Sequence, residues 1–286
     1  MFDSASGGEL SERRPAPDSA GDSRRTVGAV RRAFCSLTDS RSKRLGAGAA
    51  KSTPRARAAR LPAYLEDNYR WAYLRPASLK VFDHTPVVSA ILWGCYGRLK
   101  RAAFVELEPG RKVLQAASVY GDLSPLLARL VGAEGHLDVV DIAPIQVANC
   151  RRKLREFPHA RVRVADAAAP GGGPYDVVVC FFLLHELPDY HKHSVVDALL
   201  DMITLEGKVV FIDYHGPVRF HPLKALTGLV FDYLEPFAKT LWRRELSSFA
   251  TAAERFTWRK ETYFGGLFQK VVAERREPGE KSSRPT

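Results

Sequence analysis

Residues 113–124, VLQAASVYGDLS, decide the fold that this sequence predicts. Residues 113–117 form a short apolar run that is typical of a buried strand, and Tyr120-Gly121-Asp122 is typical of a turn. Ser124 is then predicted to cap an apolar helix over residues 124–131, because its hydroxyl can accept a hydrogen bond from the first helical turn. Pro125 suits the first helical position, where no backbone N–H is needed. The stretch therefore predicts a strand, a tight turn and a helix.

A second predicted strand, residues 137–140, ends on Asp141, twenty residues after Gly121. A strand, a turn, a helix and a second strand that ends on a carboxylate form the βαβ unit that binds nucleosides. Asp141 is therefore predicted to accept hydrogen bonds from both ribose hydroxyls, and Gly121 to let the backbone approach a cofactor closely. The alternatives are a solvated acid at a strand end and an ordinary turn glycine.

The rest of the chain continues the alternation of strands and helices. Predicted strands cover residues 162–164, 177–182 and 208–213, predicted helices cover 145–155, 193–203 and 222–246, and paired strands cover 256–263 and 267–273. Strict alternation predicts an α/β fold with a mostly parallel sheet and helices on both faces. The last two strands, around Gly265-Gly266, predict a C-terminal antiparallel hairpin. The predicted fold class is Rossmann-like.

Composition narrows the classes of function. Hydrophobic residues make up 45% of the 286 residues, enough for one large domain plus an extension. The net charge of +11 is uneven, since residues 1–60 hold 13 of the 43 basic residues and 6 of the 32 acidic ones. This excess does not indicate a nucleic-acid partner. Four widely spaced cysteines indicate no zinc site, and no apolar run approaches the roughly 20 residues that span a bilayer.

Residues 1–60 are predicted to be a disordered basic extension, because they are rich in Ser, Ala, Gly and Arg and lack hydrophobic periodicity. The basic, acid-poor part over residues 23–60 is similar to a mitochondrial transit segment, whereas five acids before it argue against one. Both interpretations, a transit segment and a plain tail, stay open. Residues 276–286 are predicted to be a disordered tail.

Residues 61–106 are aromatic and are predicted to form a helical lid before the main domain at residues 107–275. Pro62, Pro76 and Pro86 stand where helices could begin. The segment 86–104 has an apolar first half and a basic second half. It is interpreted as a helix packed on the main domain or, alternatively, as an interfacial helix that admits an apolar substrate.

The order of these elements resembles class I S-adenosylmethionine-dependent methyltransferases, above all the ubiquinone/menaquinone C-methyltransferase type. In that type the first loop carries an acid and a Gly-Gly-Thr-Gly-Asp run, where this chain has Gln115 and then Ser118-Val119-Tyr120-Gly121-Asp122. Further matching positions are Asp141, Asp166-Ala167, Asp176-Val177-Val178, Leu184-His185-Glu186-Leu187 and Leu205-Glu206-Gly207-Lys208.

A narrower resemblance is to the rhodoquinone-biosynthesis family, over residues 61 to about 275. The stretches that carry it are LPAYLEDNYRWAYLRP, ASVYGDLSP, DVVDIAPIQ, FFLLHELPD, FIDYHGP, RFHPLKAL, LEPFA and LWRREL. This resemblance implies that ubiquinone is converted to rhodoquinone by exchange of a ring methoxy group for an amino group. It further implies S-adenosylmethionine as amino donor and manganese as an associated metal.

The resemblance implies that Tyr120, Gly121, Asp122, Asp141 and Asp166 contact S-adenosylmethionine, with Asp166 facing the adenine amine. Gln115 is expected to join this set. It stands where the family of methyltransferases has a carboxylate, so it can form hydrogen bonds but supplies no negative charge.

Substrate chemistry is expected at the carboxyl ends of the fourth and fifth strands. His185, Glu186, Asp213 and His215 lie there and are candidate manganese ligands, since imidazole and carboxylate suit that ion. Alternatively, His185 or His215 acts as a general base together with Asp213. A third interpretation is that these histidines only form hydrogen bonds with the backbone.

Two other functions stay open. One is ordinary methyl transfer to a quinone or small aromatic, and the other is a non-catalytic cofactor-binding subunit. A polyprenyl quinone lives in the bilayer, so peripheral membrane association is expected, on the inner mitochondrial membrane if the protein is eukaryotic. The candidate membrane contacts are residues 87–104 and the apolar face of residues 222–242, with Leu223, Leu226, Leu229, Val230 and Phe237. The oligomeric state stays open.

Overall fold

The computed structural model describes residues 61–276 of the chain. The predictions for residues 1–60 and for the tail after residue 276 lie outside the described residues. Within residues 61–276, no helix is both long and apolar enough to cross a bilayer.

A single seven-stranded sheet organises the described chain. Its strands are β1 Lys112–Ala116, β2 His136–Asp141, β3 Ala160–Val164, β4 Tyr175–Phe181, β5 Ile203–Tyr214, β6 Phe256–Tyr263 and β7 Phe268–Arg275. They lie in the order β3-β2-β1-β4-β5-β7-β6. The first five are parallel, and β7 runs antiparallel to both β5 and β6. This confirms the predicted Rossmann-like α/β fold with its C-terminal hairpin.

Helices cover both faces of the sheet. They are α1 Ala63–Tyr73, α2 Pro76–Phe82, α3 Thr85–Ile91, α4 Tyr96–Phe104, α5 Leu123–Val131, α6 Pro144–Lys153, α7 Asp189–Asp201, α8 Lys224–Tyr233 and α9 Thr240–Arg243. Alternate residues of the central strands enter two separate hydrophobic clusters, so that Val177 and Val179 of β4 belong to one and Val178 to the other. This two-sided burial explains why the strands are nearly continuous apolar runs in the sequence.

Three predicted helices differ from those observed. The stretch 222–246 is two helices, α8 and α9, because Pro236 lies between them and a proline interrupts a helix. The stretch 86–104 contributes to α3 and α4, which are separated by Trp93 and Gly94 with φ of 52° and 78°. The helix predicted over 193–203 is α7, which begins four residues earlier, directly after Pro188.

Ser124 does not cap α5, contrary to the prediction. The helix begins at Leu123, with Asp122 as its N-cap residue, so Ser124 already lies in the first turn. Its hydroxyl oxygen is buried without a hydrogen-bond partner among the described residues. The helix starts one residue early because the turn ends at Gly121, which has a φ of 83°.

A buried ion pair fixes the loop between β1 and α5. The carboxylate of Asp83, at the end of α2, accepts hydrogen bonds from the Gly121 backbone N–H at 2.9 Å and from the Lys153 ammonium at 2.8 Å. Lys153 also donates to the carbonyls of Val119 and Gly121. Burial raises the pKa of Asp83, but the hydrogen bonds from Lys153 and Asn149 outweigh it, and the net pKa lies below its ordinary value. A lysine thus supports a loop in which Gly121 is the one glycine between residues 117 and 122.

We expect Lys153→Met to destabilise the fold by about 3 kcal/mol, because it leaves the buried Asp83 carboxylate without its main counter-charge. The matched control is Arg152→Met, since Arg152 also approaches Asp83, at 3.7 Å, but its side chain is 67% exposed. Its loss should cost less than about 1 kcal/mol. Urea unfolding measures both, and equal effects of the two substitutions would contradict the assignment.

Candidate functional site

A cavity opens at the carboxyl ends of the parallel strands. Its empty volume, including open solvent, is about 1180 Å³. The wall is built from the ends of β1, β2, β3 and β4 and from the helices that precede the sheet. Residues that represent these elements are Ser118, Asp141, Asp166, Phe182, His185 and Tyr64. Ligands bind at this edge of open α/β sheets because loops and side chains of neighbouring strands meet there.

Asp141 forms the acidic part of the wall at the end of β2. Its two oxygens accept hydrogen bonds from the backbone N–H groups of Ser118 and Ala143, each at 2.8 Å. Burial raises the pKa of Asp141 to about 6, although these two N–H groups lower it. The carboxylate is fixed in place, and each oxygen can still accept a further hydrogen bond.

Asp166 lies on the same wall, at the end of β3. Its Oδ1 accepts a hydrogen bond from the backbone N–H of Ala168 and lies 3.5 Å from His191 Nε2. The hydrogen bond from His191 holds the pKa of Asp166 below its ordinary value. The His191 ring in turn contacts Tyr64 of α1, with ring centroids 5.5 Å apart. His191 and Tyr64 were not predicted from the sequence.

Three predicted cofactor ligands lie outside the cavity wall. Gln115 is fully buried in β1, where its amide donates to the carbonyl of Ala117. Gly121 faces Asp83, and an added Cβ would meet the Tyr96 hydroxyl at 3.0 Å. Asp122 forms an ion pair with Lys100. Gly121 is turned away because Lys153 and Asp83 hold the loop from the other side, whereas Gln115 lies within β1 itself.

Tyr120, a fourth predicted ligand, does reach the wall. Its hydroxyl donates to the carbonyl of Ala72 at 2.6 Å and accepts from the Gln146 amide at 2.9 Å. Its ring stacks on Tyr73, with ring centroids 5.5 Å apart and planes 16° apart. The ring of Tyr120 therefore connects α1 to the cavity. Its hydroxyl already has hydrogen-bond partners within the protein.

His185 and Asp213 form a hydrogen-bonded pair at the ends of β4 and β5. His185 Nδ1 lies 3.0 Å from Asp213 Oδ1, and the backbone N–H groups of Leu184 and Tyr214 donate to the same carboxylate. Phe182 adopts a φ of 51° just after β4, an uncommon conformation that turns the chain toward the cavity. Burial lowers the pKa of His185, but the charge of Asp213, its hydrogen bond and the charges of Glu235 and Glu186 together outweigh burial and raise the pKa to about 9.

Two further buried carboxyl groups face His185. Tyr73 donates a hydrogen bond to Glu186, and Tyr69 donates to Glu235 at 2.8 Å. His185 Nε2 lies 3.9 Å from Glu186 Oε1. Burial is the main reason that the pKa values of both glutamates are raised, and the two also repel each other. Glu235 was missed from the sequence, where the stretch LEPFA contributed to a family resemblance but gave no residue role.

The predicted manganese ligands do not form a metal site. His215 Nδ1 bonds the carbonyl of Gly266, away from the cavity wall, and is therefore not placed beside His185. The Asp213 carboxylate accepts hydrogen bonds from three backbone N–H groups and the His185 ring, which occupies its lone pairs. No group of three or more His, Cys, Asp or Glu side chains in residues 61–276 is arranged to hold a metal. The residues present do not fit the implied manganese.

We expect the stability of the wild-type protein to fall as the pH rises from about 5 to about 8, because Glu186 loses its proton over this range. The fall should be smaller in the variant Glu186→Gln. The raised pKa of Glu186 means that the folded protein binds its proton more tightly than the unfolded chain does. Stability from this group is therefore complete below its ordinary pKa of 4.5 and is lost as the pH rises through the raised value. The loss of unfolding free energy is at most about 1.4 kcal/mol per pH unit. Glutamine does not titrate, so it makes no such contribution. Thermal melts of wild type, Glu186→Gln and the exposed control Glu206→Gln measure this loss. A Glu186→Gln profile parallel to wild type would contradict the prediction.

Comparison with known proteins supports the same fold. Residues 113–207 match a family model described as a methyltransferase domain. A ubiquinone/menaquinone biosynthesis C-methyltransferase UbiE of Idiomarina loihiensis is 31% identical over 114 residues, 38% of this chain and 45% of that protein. The UbiE of Vibrio vulnificus is 24% identical over 152 residues, 51% of this chain and 57% of that protein. The chain thus covers about half the length of these relatives.

Solved structures agree in fold at low sequence identity. A candidate O-methyltransferase of Nostoc punctiforme has a TM-score of 0.53 at 18% identity, covering 72% of this chain and 62% of that one. The pyocyanin biosynthetic protein PhzM also has a TM-score of 0.53, at 12% identity, covering 69% of this chain and 60% of that one. These structures show the Rossmann-like fold, and the family match shows that residues 113–207 are similar to a methyltransferase domain.

Proposed function

We propose that this protein is an S-adenosylmethionine-dependent transferase that acts on a quinone ring. The observation that carries the proposal is one cavity with two chemically different ends. Asp141 and Asp166 stand at one end, and His185, Glu186 and Glu235 stand at the other. The wall between them is apolar and aromatic, which suits a flat ring.

The first end fits the nucleoside of S-adenosylmethionine. Asp141 is fixed by two backbone N–H groups and retains acceptor capacity for ribose hydroxyls. Ser118, on the same wall, donates its backbone N–H to Asp141, and its buried hydroxyl lies beside the Cys150 thiol. Asp166 would hold the adenine amine. When bound, the cofactor supplies the group that is transferred.

The second end can hold and deliver a proton. Because Nδ1 of His185 is hydrogen-bonded to Asp213, Nε2 is the ring nitrogen that can form a hydrogen bond with a substrate oxygen. With its pKa raised to about 9, His185 carries a proton at neutral pH and can donate it to a quinone carbonyl. Tyr69 and Tyr73 hold the glutamates in place by hydrogen bonds. His185 is thus the proposed acid, and Asp213 positions it.

The finer proposal is the conversion of ubiquinone to rhodoquinone, in which an amino group replaces a ring methoxy group. It is supported by the resemblance of the stretches over residues 61 to about 275 and by the altered loop at residues 118–122. The second candidate is ordinary methyl transfer to a quinone, which the UbiE relatives favour by their names. His185 on the cavity wall, paired with the buried Asp213, favours both over a non-catalytic subunit.

The expected partners follow from this substrate. A quinone with a polyprenyl tail resides in the bilayer, so we propose peripheral association with a membrane. Mitochondrial localisation would depend on residues 1–60, which lie outside the described residues.

We expect Asp141→Asn to weaken the binding of S-adenosylhomocysteine at least about tenfold, because a charged acceptor of ribose hydroxyls becomes a neutral amide. The control is Asp176→Asn, at the start of β4 on the opposite edge of the sheet. Isothermal titration calorimetry measures both. Unchanged affinity of Asp141→Asn would remove the basis for the nucleoside site.

We expect the purified protein, given S-adenosylmethionine and a ubiquinone, to form a quinone that has lost a methoxy group and gained an amino group. Mass spectrometry of the quinone distinguishes this product from a methylated one, which would be heavier than the substrate by one CH₂. S-Adenosylhomocysteine with a methylated quinone would favour the second candidate. His185→Gln should abolish either product while leaving cofactor binding intact, and full activity of that variant would contradict the proposed acid.

A further inference from the structure

Exposed apolar side chains are concentrated on one face of the described chain. Five of the eleven exposed large hydrophobic residues in residues 61–276 lie between Val218 and Leu229 or at the turn of the β6–β7 hairpin. We define the docking face as these five and the two basic residues among them: Val218, Arg219, Phe220, Lys224, Leu226, Leu229 and Phe264. Such clustering marks an interaction surface, whereas single exposed apolar residues do not.

The loop of the docking face contacts the hairpin turn and leads directly into α8. The backbone N–H of Val218 donates to the carbonyl of Gly265 at 2.9 Å, which holds the loop against the hairpin turn. The ring of His221 contacts that of Phe264, with centroids 5.2 Å apart. Leu226 and Leu229 follow on the exposed side of α8, three residues apart. Of these residues, Phe220 is the most exposed, at 88%.

The docking face lies at the same edge of the sheet as the cavity. Phe268 pairs with Tyr214 at the carboxyl end of β5. Its ring contacts Phe182 of the cavity wall at 5.7 Å and stacks on Phe264 of the docking face at 6.3 Å, between centroids. Two ring contacts therefore separate the cavity from this surface.

The charges on the docking face are positive. Arg219 lies over the Phe220 ring at 5.5 Å, and Lys224 begins α8. The nearest exposed acids along the chain, Asp232 and Glu261, form ion pairs with Lys239 and Lys270. Exposed aromatic and aliphatic side chains among basic ones match the boundary between the headgroups and acyl chains of an anionic membrane.

We propose that this docking face inserts into the surface of an anionic lipid bilayer and sets the cavity beside it. The proposal extends the membrane association inferred above to particular residues, but the lipid contact does not require the proposed reaction. It differs from the sequence prediction for residues 222–242, because Val230 and Phe237 are only partly exposed, whereas Val218, Phe220 and Phe264 are exposed. It also places the contact outside residues 87–104.

The test is co-sedimentation of the full-length protein with vesicles of equal parts phosphatidylcholine and phosphatidylglycerol, without substrate or cofactor. Phe220→Ser should lower the partition coefficient about tenfold, because a whole aromatic side chain no longer leaves water. The double variant Arg219→Gln/Lys224→Gln should lower it about fivefold for each charge removed. The same double variant should bind vesicles of phosphatidylcholine alone nearly as wild type does.

The matched control is Leu205→Ser, since Leu205 is 85% exposed but lies near the start of β5, at the opposite edge of the sheet. It should bind vesicles like wild type. Melting temperatures confirm that all variants fold. The proposal is overturned if Phe220→Ser binds vesicles as wild type does, because the binding would then be assigned to residues 1–60. It is equally overturned if Leu205→Ser lowers the partition coefficient as much as Phe220→Ser does. It is also overturned if Phe220→Ser abolishes self-association but not lipid binding, because the face would then be covered by a second copy of the chain.

Discussion

The carboxylate of Asp213 joins the two strands on which the proposed chemistry depends. It accepts hydrogen bonds from the backbone N–H groups of Leu184, His185 and Tyr214, and from the His185 ring. A buried carboxylate is tolerated only when its lone pairs are satisfied, so the chain after β4 must turn back over the end of β5. That turn is what brings His185, Glu186 and Leu183 to the cavity wall.

The same principle operates at the end of β2, with a different chemical result. Asp141 is held by backbone N–H groups alone and remains an acceptor, whereas His185 has a carboxylate partner and becomes a proton donor. Burial raises the pKa of Asp141 to about 6, while Asp213 raises that of His185 to about 9. One cavity therefore combines an anionic acceptor and a cationic donor near neutral pH, and the parallel strands keep them apart.

The altered first loop shows how a different set of residues can support the same turn. Ala117 and Gly121 both have positive φ, but only Gly121 is a glycine. The positive Lys153 and the carboxylate of Asp83 bind the loop from outside the sheet. As a result, Gly121 faces Asp83 rather than the cavity, Asp122 pairs with Lys100, and Tyr120 becomes the part of the turn on the cavity wall. The sequence revealed that the glycines were missing but not which groups replaced their contribution.

The order of strands and helices can be predicted from the sequence, because burial on both faces of a parallel sheet requires apolar strands that alternate with helices. The sequence also placed Asp141, Asp166, His185 and Asp213 at strand ends, since the carboxyl end of a strand is a local feature. Only the tertiary structure decided which of these groups meet. Glu235, Tyr69 and Tyr73 come from distant segments, and His215 is turned toward Gly266. Side-chain contacts and desolvation depend on elements that are far apart in the chain, so no local pattern encodes them.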